Sequence, residues 1–124
     1  LNLQNNIIIK DWQSDMSKYY STSKLLVFPS LYEGLPNTLI DALNYSLPCI
    51  TTKCSGAEDI LSKNYNYFVK HDDTKKLGVV MSDAILNYNA IMNSTKKQHT
   101  KLKRFLVPNQ VNKYLKFLTT ILNK

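Results

Sequence analysis

Leu25 to Leu61 reads LLVFPSLYEGLPNTLIDALNYSLPCITTKCSGAEDIL. Its first four residues are an unbroken apolar run stopped by Pro29, and such a run between turn residues reads as a strand buried on both faces. Ser30 to Pro36, carrying Gly34 and Pro36, reads as a loop. Asn37 then offers a cap for a helix in which Leu39, Ile40, Ala42 and Leu43 are apolar. In an open α/β sheet, a loop between a strand and the helix after it lies at the strand's carboxyl end, where ligands of that architecture bind. The helix start also presents free N–H groups to an anion, which makes phosphate the expected guest. Two carboxylates, Glu33 and Asp41, stand in this segment. Purely structural explanations exist as well: Gly34 permits a tight turn, Pro36 shapes the helix entry, and Asp41 complements the dipole of the helix's first turn.

Outward from this stretch, four short apolar runs alternate with helical patterns: Ile7 to Ile9, Leu25 to Phe28, Cys49 to Thr51 and Tyr67 to Val69. That alternation predicts an α/β domain with a short parallel sheet of about four strands flanked by helices. Met16, Tyr19 and Tyr20 recur at helical spacing, giving an amphipathic helix from Ser14 to about Ser23 with its tyrosines in the core. Thr74 is the expected cap of a helix that buries Leu77, Val80, Met81, Ala84, Ile85 and Tyr88 on one face. A less regular helix is expected from Ala90 to Phe105. A third begins at Pro108, with Val111, Tyr114, Leu115, Leu118, Ile121 and Leu122 along one face. Trp12 reads as a packing residue, with stacking on a base as the alternative.

A chain of 124 residues is one domain, and a small one for an enzyme that must hold two substrates. No apolar run approaches the length of a membrane span, and the first residues lack the basic-then-apolar pattern of a signal peptide, so a cytoplasmic protein is expected. Cys49 and Cys54 have no ligand-spaced partner, and His71 and His99 are isolated, so no metal is proposed. The net charge of +7 is unevenly spread: residues 1–91 hold eight basic and nine acidic residues, residues 92–124 eight basic and none acidic. Lys96, Lys97, Lys101, Lys103 and Arg104 cluster in one short stretch. A solvated helix face is the commoner explanation of such a cluster; the functional alternative is an anionic membrane surface as partner, which would put the protein peripherally at the inner face of the membrane. Few aromatics interleave with the charges, which argues against nucleic acid.

Pro29-Ser30, Glu33-Gly34-Leu35-Pro36, Asp41 eight positions after Glu33, Pro48-Cys49-Ile50 and Ser55-Gly56-Ala57-Glu58-Asp59-Ile60 occur here in order. Together they resemble the retaining glycosyltransferases of family 4 (glycosyltransferase group 1), whose fold is two Rossmann-like domains. The resemblance implies that this chain is the C-terminal portion of the donor-binding Rossmann-like domain, spanning residues 1–124 and ending in a basic helical tail from about residue 90. It implies a nucleotide-sugar donor as substrate, no cofactor, and an N-terminal acceptor domain of the same enzyme as partner. The donor's diphosphate and sugar would meet Gly34, Leu35, Pro36, Asn37, Thr38 and Leu39. Glu33 would be the catalytic carboxylate, accepting hydrogen bonds from the sugar hydroxyls without acting as a general acid or base, and Asp41 would bind the ribose. Such enzymes build surface glycans or lipopolysaccharide-type polymers.

In the resembling enzymes, cationic side chains come from a glycine-bearing loop further upstream, and nothing before Ile7 supplies it. The chain is therefore expected to be incomplete and inactive alone; a non-catalytic remnant that keeps only the fold and a basic binding tail is the alternative. Two positions depart from the family pattern. Asp41 stands where glutamate is usual and is one methylene shorter, and Ser46 stands where glycine is common, which matters if that position needs positive φ.

Overall fold

The structure is a computed structural model that describes residues 2–122. Three parallel strands, β1 (Leu26–Phe28), β2 (Cys49–Thr52) and β3 (Phe68–Val69), form a sheet in sequence order. Leu26, Val27 and Phe28 pair with Cys49, Ile50 and Thr51, and Thr51 and Thr52 pair with Phe68 and Val69. Every residue of β2 is buried, as the central strand of a sheet covered on both faces requires. The crossovers are α2 (Asn37–Asn44), between β1 and β2, and α3 (Ser55–Leu61), between β2 and β3. α1 (Ser17–Thr22) precedes the sheet; α4 (Thr74–Leu86), α5 (Tyr88–His99) and α6 (Val107–Leu122) follow it. This is the expected α/β class.

The core lies where α2, α3 and α5 meet β2. Leu39, Leu43, Ile50, Ile60, Leu61 and Ile91 have no measurable exposure, and burying such a side chain contributes about 1.5–3 kcal/mol relative to leaving it in water. Tyr65 closes one side. Its hydroxyl donates to the Cys49 carbonyl at 2.7 Å, so the only polar atom of a buried ring is satisfied.

The end of α2 sets the direction in which β2 enters the sheet. Leu47 N–H donates to the Ala42 carbonyl and Ser46 N–H to the Leu43 carbonyl, each at 2.9 Å. These are the two bonds of a Schellman cap, whose first residue past the cap must be left-handed. Ser46 has φ of 56°, so the positive φ anticipated for this position is present on a residue that has a Cβ.

Several expectations are corrected. Ile7 to Ile9 is not a strand: its side chains are 60%, 78% and 90% exposed and it pairs with nothing among the described residues. An apolar run needs a hydrogen-bonded neighbour to become a strand, and the sheet has three strands instead of about four. Trp12 is 86% exposed, so it does not pack. The first helix is shorter than expected, and of its tyrosines only Tyr20 is buried. Asp73, not Thr74, caps α4, its carboxylate accepting the Lys76 N–H at 2.9 Å. Ile85 is 66% exposed and Tyr88 belongs to the next helix, because the chain turns at Asn87. The helix expected from Ala90 to Phe105 ends at His99, and a 3-10 turn covers Leu102–Phe105. The apolar face of α6 is present but uncovered: none of its described residues is buried.

Candidate functional site

The loop from Pro29 to Pro36 is fixed from below by two threonines of β2. Thr51 Oγ1 donates to the Phe28 carbonyl at 2.9 Å, and Thr52 Oγ1 donates to the Ser30 carbonyl. β-branched residues suit the strand, and their hydroxyls here bind the last residue of β1 and the start of the loop to it. Above that anchor, the Ser30 hydroxyl donates to Glu33 Oε1 at 2.8 Å. A hydrogen bond to a carboxylate is stronger than a neutral one, and this one holds the half-buried Glu33 in one orientation at the carboxyl end of β1.

The loop is held from the side by an absence. A Cβ on Gly56, in the first turn of α3, would lie 2.2 Å from the Gly34 carbonyl oxygen and 2.9 Å from Pro36 Cδ. Only glycine permits this backbone approach, which seats the Glu33 loop on the start of α3. Nearby, Lys53 and Glu58 form an ion pair at 3.3 Å. With Lys53 55% exposed, that contact adds little to stability.

α2 begins where the loop ends. Pro36, not Asn37, occupies its cap position, and no side chain caps it. The amides that open a helix have no intrahelical partner; that of Leu39 is taken by the Pro36 carbonyl at 3.0 Å. Leu39 itself is fully buried, so its side chain serves the core. Asn37 is exposed and Thr38 half-buried. Asp41 is exposed and lies beyond the first turn, which contains no acid, so the helix dipole does not explain it. It faces α1 instead: the Tyr20 phenol is pushed above its usual range by burial and then by the Asp41 carboxylate, while a Thr38 hydrogen bond opposes the shift. Tyr20 also stacks on Tyr45 with ring centroids 5.7 Å apart, so α1 braces both ends of α2.

A cavity of about 910 Å3 opens beside this loop. Leu35, Asn37 and Ile40 form one wall, Asp59 of α3 contributes a carboxylate, and Arg104, Phe105, Lys113 and Tyr114 form the far wall. Of the residues anticipated from sequence, Leu35 and Asn37 reach it; Glu33 and Asp41 do not. Arg104 and Lys113 were not anticipated there, since they lie far along the chain and Arg104 reads locally as part of a basic cluster. That cluster is divided: Lys96 and Lys97 are on α5, whereas Lys103 and Arg104 are on the 3-10 turn. A smaller cavity of about 170 Å3, lined by Pro29, Thr52, Val69 and His71 among others, lies at the carboxyl ends of all three strands.

Residues 1–87 match the family model described as glycosyl transferases group 1. The chain belongs to this family. Among curated glycosyltransferases, it is 45% identical over 73 residues to an uncharacterized glycosyltransferase of Methanocaldococcus jannaschii, covering 58% of this chain and 18% of that protein. It is 27% identical over 126 aligned positions to the UDP-Gal:alpha-D-GlcNAc-diphosphoundecaprenol alpha-1,3-galactosyltransferase of Escherichia coli, covering 91% of this chain and 33% of that enzyme. It is 38% identical over 56 residues to a lipopolysaccharide 1,6-galactosyltransferase of Salmonella typhimurium, covering 44% of this chain and 15% of that enzyme. The chain therefore spans a third or less of the length of these relatives. Within this glycosyltransferase chain, burial pushes the Cys49 thiol up to about 12, so it stays protonated and inert as a core residue. No described helix is long and apolar enough to cross a membrane.

Proposed function

We propose that this chain forms the donor half of a retaining glycosyltransferase site of the two-domain GT-B fold. It binds a nucleotide sugar and, with an acceptor-binding domain of the same enzyme, transfers the sugar during surface glycan or lipopolysaccharide-type synthesis. The observation that carries this is the seating of Glu33: a carboxylate oriented by Ser30, on a loop clamped by Thr51, Thr52 and Gly56, directly before the start of α2. Breaking the donor's bond builds positive charge on the sugar carbon and negative charge on the departing diphosphate. A fixed carboxylate orients sugar hydroxyls, and the opening amides of α2 and nearby cations stabilise the anion without needing a metal. Asp41 takes the ribose hydroxyls. The activities for which the Escherichia coli and Salmonella relatives are named, transfers onto a diphosphoundecaprenol-linked sugar and within lipopolysaccharide, support a glycan acceptor. The exposed Lys96, Lys97, Lys101 and Lys103 support a peripheral association with an anionic membrane face as part of this reading.

The two acids serve different stages, which makes the proposal testable. In the complete enzyme, Glu33→Gln should lower transfer far more than nucleoside diphosphate binding, because sugar orientation matters most as its bond breaks. Asp41→Ala should chiefly weaken nucleotide binding, a contact kept from ground state to transition state. A hydrogen bond to a charged group contributes about 1.5–3 kcal/mol, so each effect should be on the order of tenfold to a hundredfold. Unchanged transfer by a folded Glu33→Gln enzyme at saturating donor would refute the assignment.

A further inference from the structure

We propose that α6 is an interfacial helix that inserts its apolar face into the surface of an anionic lipid bilayer. This deepens the membrane part of the reading above and rests on it for the anionic surface; what it adds is that the attachment is apolar as well as electrostatic.

The helix needs a cover that the described residues do not supply. Val111, Tyr114, Leu115, Leu118, Ile121 and Leu122 are between 48% and 82% exposed. At about 3.6 residues per turn they form one face, and Lys113, Lys116 and Thr120 lie on the opposite side. α6 packs chiefly against the 3-10 turn that precedes it. Helices draw most of their stability in water from packing an amphipathic face, and soluble monomers rarely leave an extended apolar patch open.

Charge and length decide between the possible covers. Residues 92–124 hold eight basic residues and no acid, so a second copy placed on this face would bring two cationic tails together. An anionic bilayer complements both parts of the segment. Lysines on the polar face can run their stems along the acyl boundary and keep their ammonium groups among the headgroups, while leucines opposite them enter the hydrocarbon, the composition of helices that lie in the interface. The ring and hydroxyl of Tyr114 suit the same boundary. The 16 residues of α6 extend roughly 24 Å, short of the about 20 apolar residues that cross a bilayer, so the helix lies along the surface.

The basic residues before α6 are held to it. Asn109 Nδ2 donates to the Lys103 carbonyl and Gln110 Nε2 to the Arg104 carbonyl, tying the 3-10 turn to the first turn of the helix. Electrostatic attraction and apolar insertion therefore act on one body. A single weak signal gives only marginal, reversible membrane binding, whereas an apolar group combined with a basic patch gives stable attachment, so removing either should release the chain.

The test uses the 124-residue chain and vesicles of phosphatidylcholine mixed with phosphatidylglycerol. Leu115→Gln together with Leu118→Gln keeps similar helix propensity and alters only exposed positions, so circular dichroism without vesicles should be unchanged. The pair should weaken vesicle binding on the order of a hundredfold, about tenfold for each leucine withdrawn from the bilayer. Trp12 is the single tryptophan, so Leu118→Trp in a Trp12→Phe background reports on the apolar face directly. Its emission should shift to shorter wavelength and be quenched by lipids brominated on their acyl chains, whereas Thr120→Trp in the same background should respond far less. Unchanged binding by the folded leucine pair, or no quenching of the vesicle-bound Leu118→Trp protein, would overturn insertion and leave the electrostatic reading standing. If instead the glutamine replacement of Lys96, Lys97, Lys101 and Lys103 leaves binding unchanged while the leucine pair abolishes it, insertion stands and the reading of the basic cluster fails. A dimer formed without vesicles and dissolved by the leucine pair would give the face to a second copy. Vesicle binding by the complete enzyme that is indifferent to the leucine pair would give it to another domain, and either result would overturn the proposal.

Discussion

Adding one methyl group at Gly56 tests whether the start of α3 supports the Glu33 loop. An alanine Cβ would stand 2.2 Å from the Gly34 oxygen, 2.8 Å from the Gly34 carbonyl carbon and 2.9 Å from Pro36 Cδ. Ordinary contact begins at 3.4 Å, so the loop must retreat by about 1.2 Å, the difference between 3.4 and 2.2. Two of the three atoms are backbone and the third belongs to a proline ring, so no rotamer change relieves the clash. Overpacking of this kind costs about 1–3 kcal/mol. Replacing a helical glycine by alanine returns roughly 0.5–1 kcal/mol. The net loss should be about 1–2 kcal/mol, which lowers Tm by roughly 4–8 °C if each kcal/mol is worth about 4 °C in a domain of this size. Gly78 supplies the control: it sits inside α4 with nothing within 4 Å of its missing Cβ. Gly78→Ala should therefore raise Tm. Thermal unfolding gives both values, and amide spectra of the Gly56→Ala protein should shift from Ser30 to Pro36. An alanine at position 56 that left both Tm and the loop signals unchanged would show that α3 does not seat the loop.

Ser46→Gly should stabilise the chain by about 1 kcal/mol, since glycine adopts the left-handed conformation of the Schellman cap without a Cβ penalty; chemical denaturation would measure it, and a loss of stability would contradict the cap. The exposed basic residues should give binding to anionic vesicles that falls steeply with salt, and changing Lys96, Lys97, Lys101 and Lys103 together to glutamine should abolish it while circular dichroism is unchanged. Equal affinity for neutral vesicles would remove the electrostatic explanation.

What was legible in the sequence follows from what local pattern encodes. β1, β2 and β3 are short apolar runs bounded by turn residues, and each pairs with a neighbour inside this chain. The strand, loop and helix order around Glu33 was legible for the same reason, whereas the positive φ at Ser46 was suggested only by the glycine that the resembling family has there. Ile7 to Ile9 has the same local signature, but a strand is a property of a pair, and no described residue pairs with it. Periodicity likewise announced the apolar face of α6 without saying what covers it. Arg104 and Lys113 could not be placed by any local rule. Their position beside Asn37 depends on the 3-10 turn and α6 folding back toward α2, and a contact across so many residues leaves no spacing to read.

Direct mapping of a donor on the folded chain tests the central claim most simply. Backbone amide spectra recorded during titration with a panel of uridine- and guanosine-diphosphate sugars should show, for at least one of them, saturable shifts concentrated at Glu33, Gly34, Asn37, Thr38 and Asp41. Glu33→Gln should change the response to the nucleotide sugar but leave that to the bare nucleoside diphosphate nearly intact, because in the proposed site only the sugar meets that carboxylate. Saturable binding whose shifts fall elsewhere, leaving the Glu33 loop and the start of α2 silent, would contradict the account.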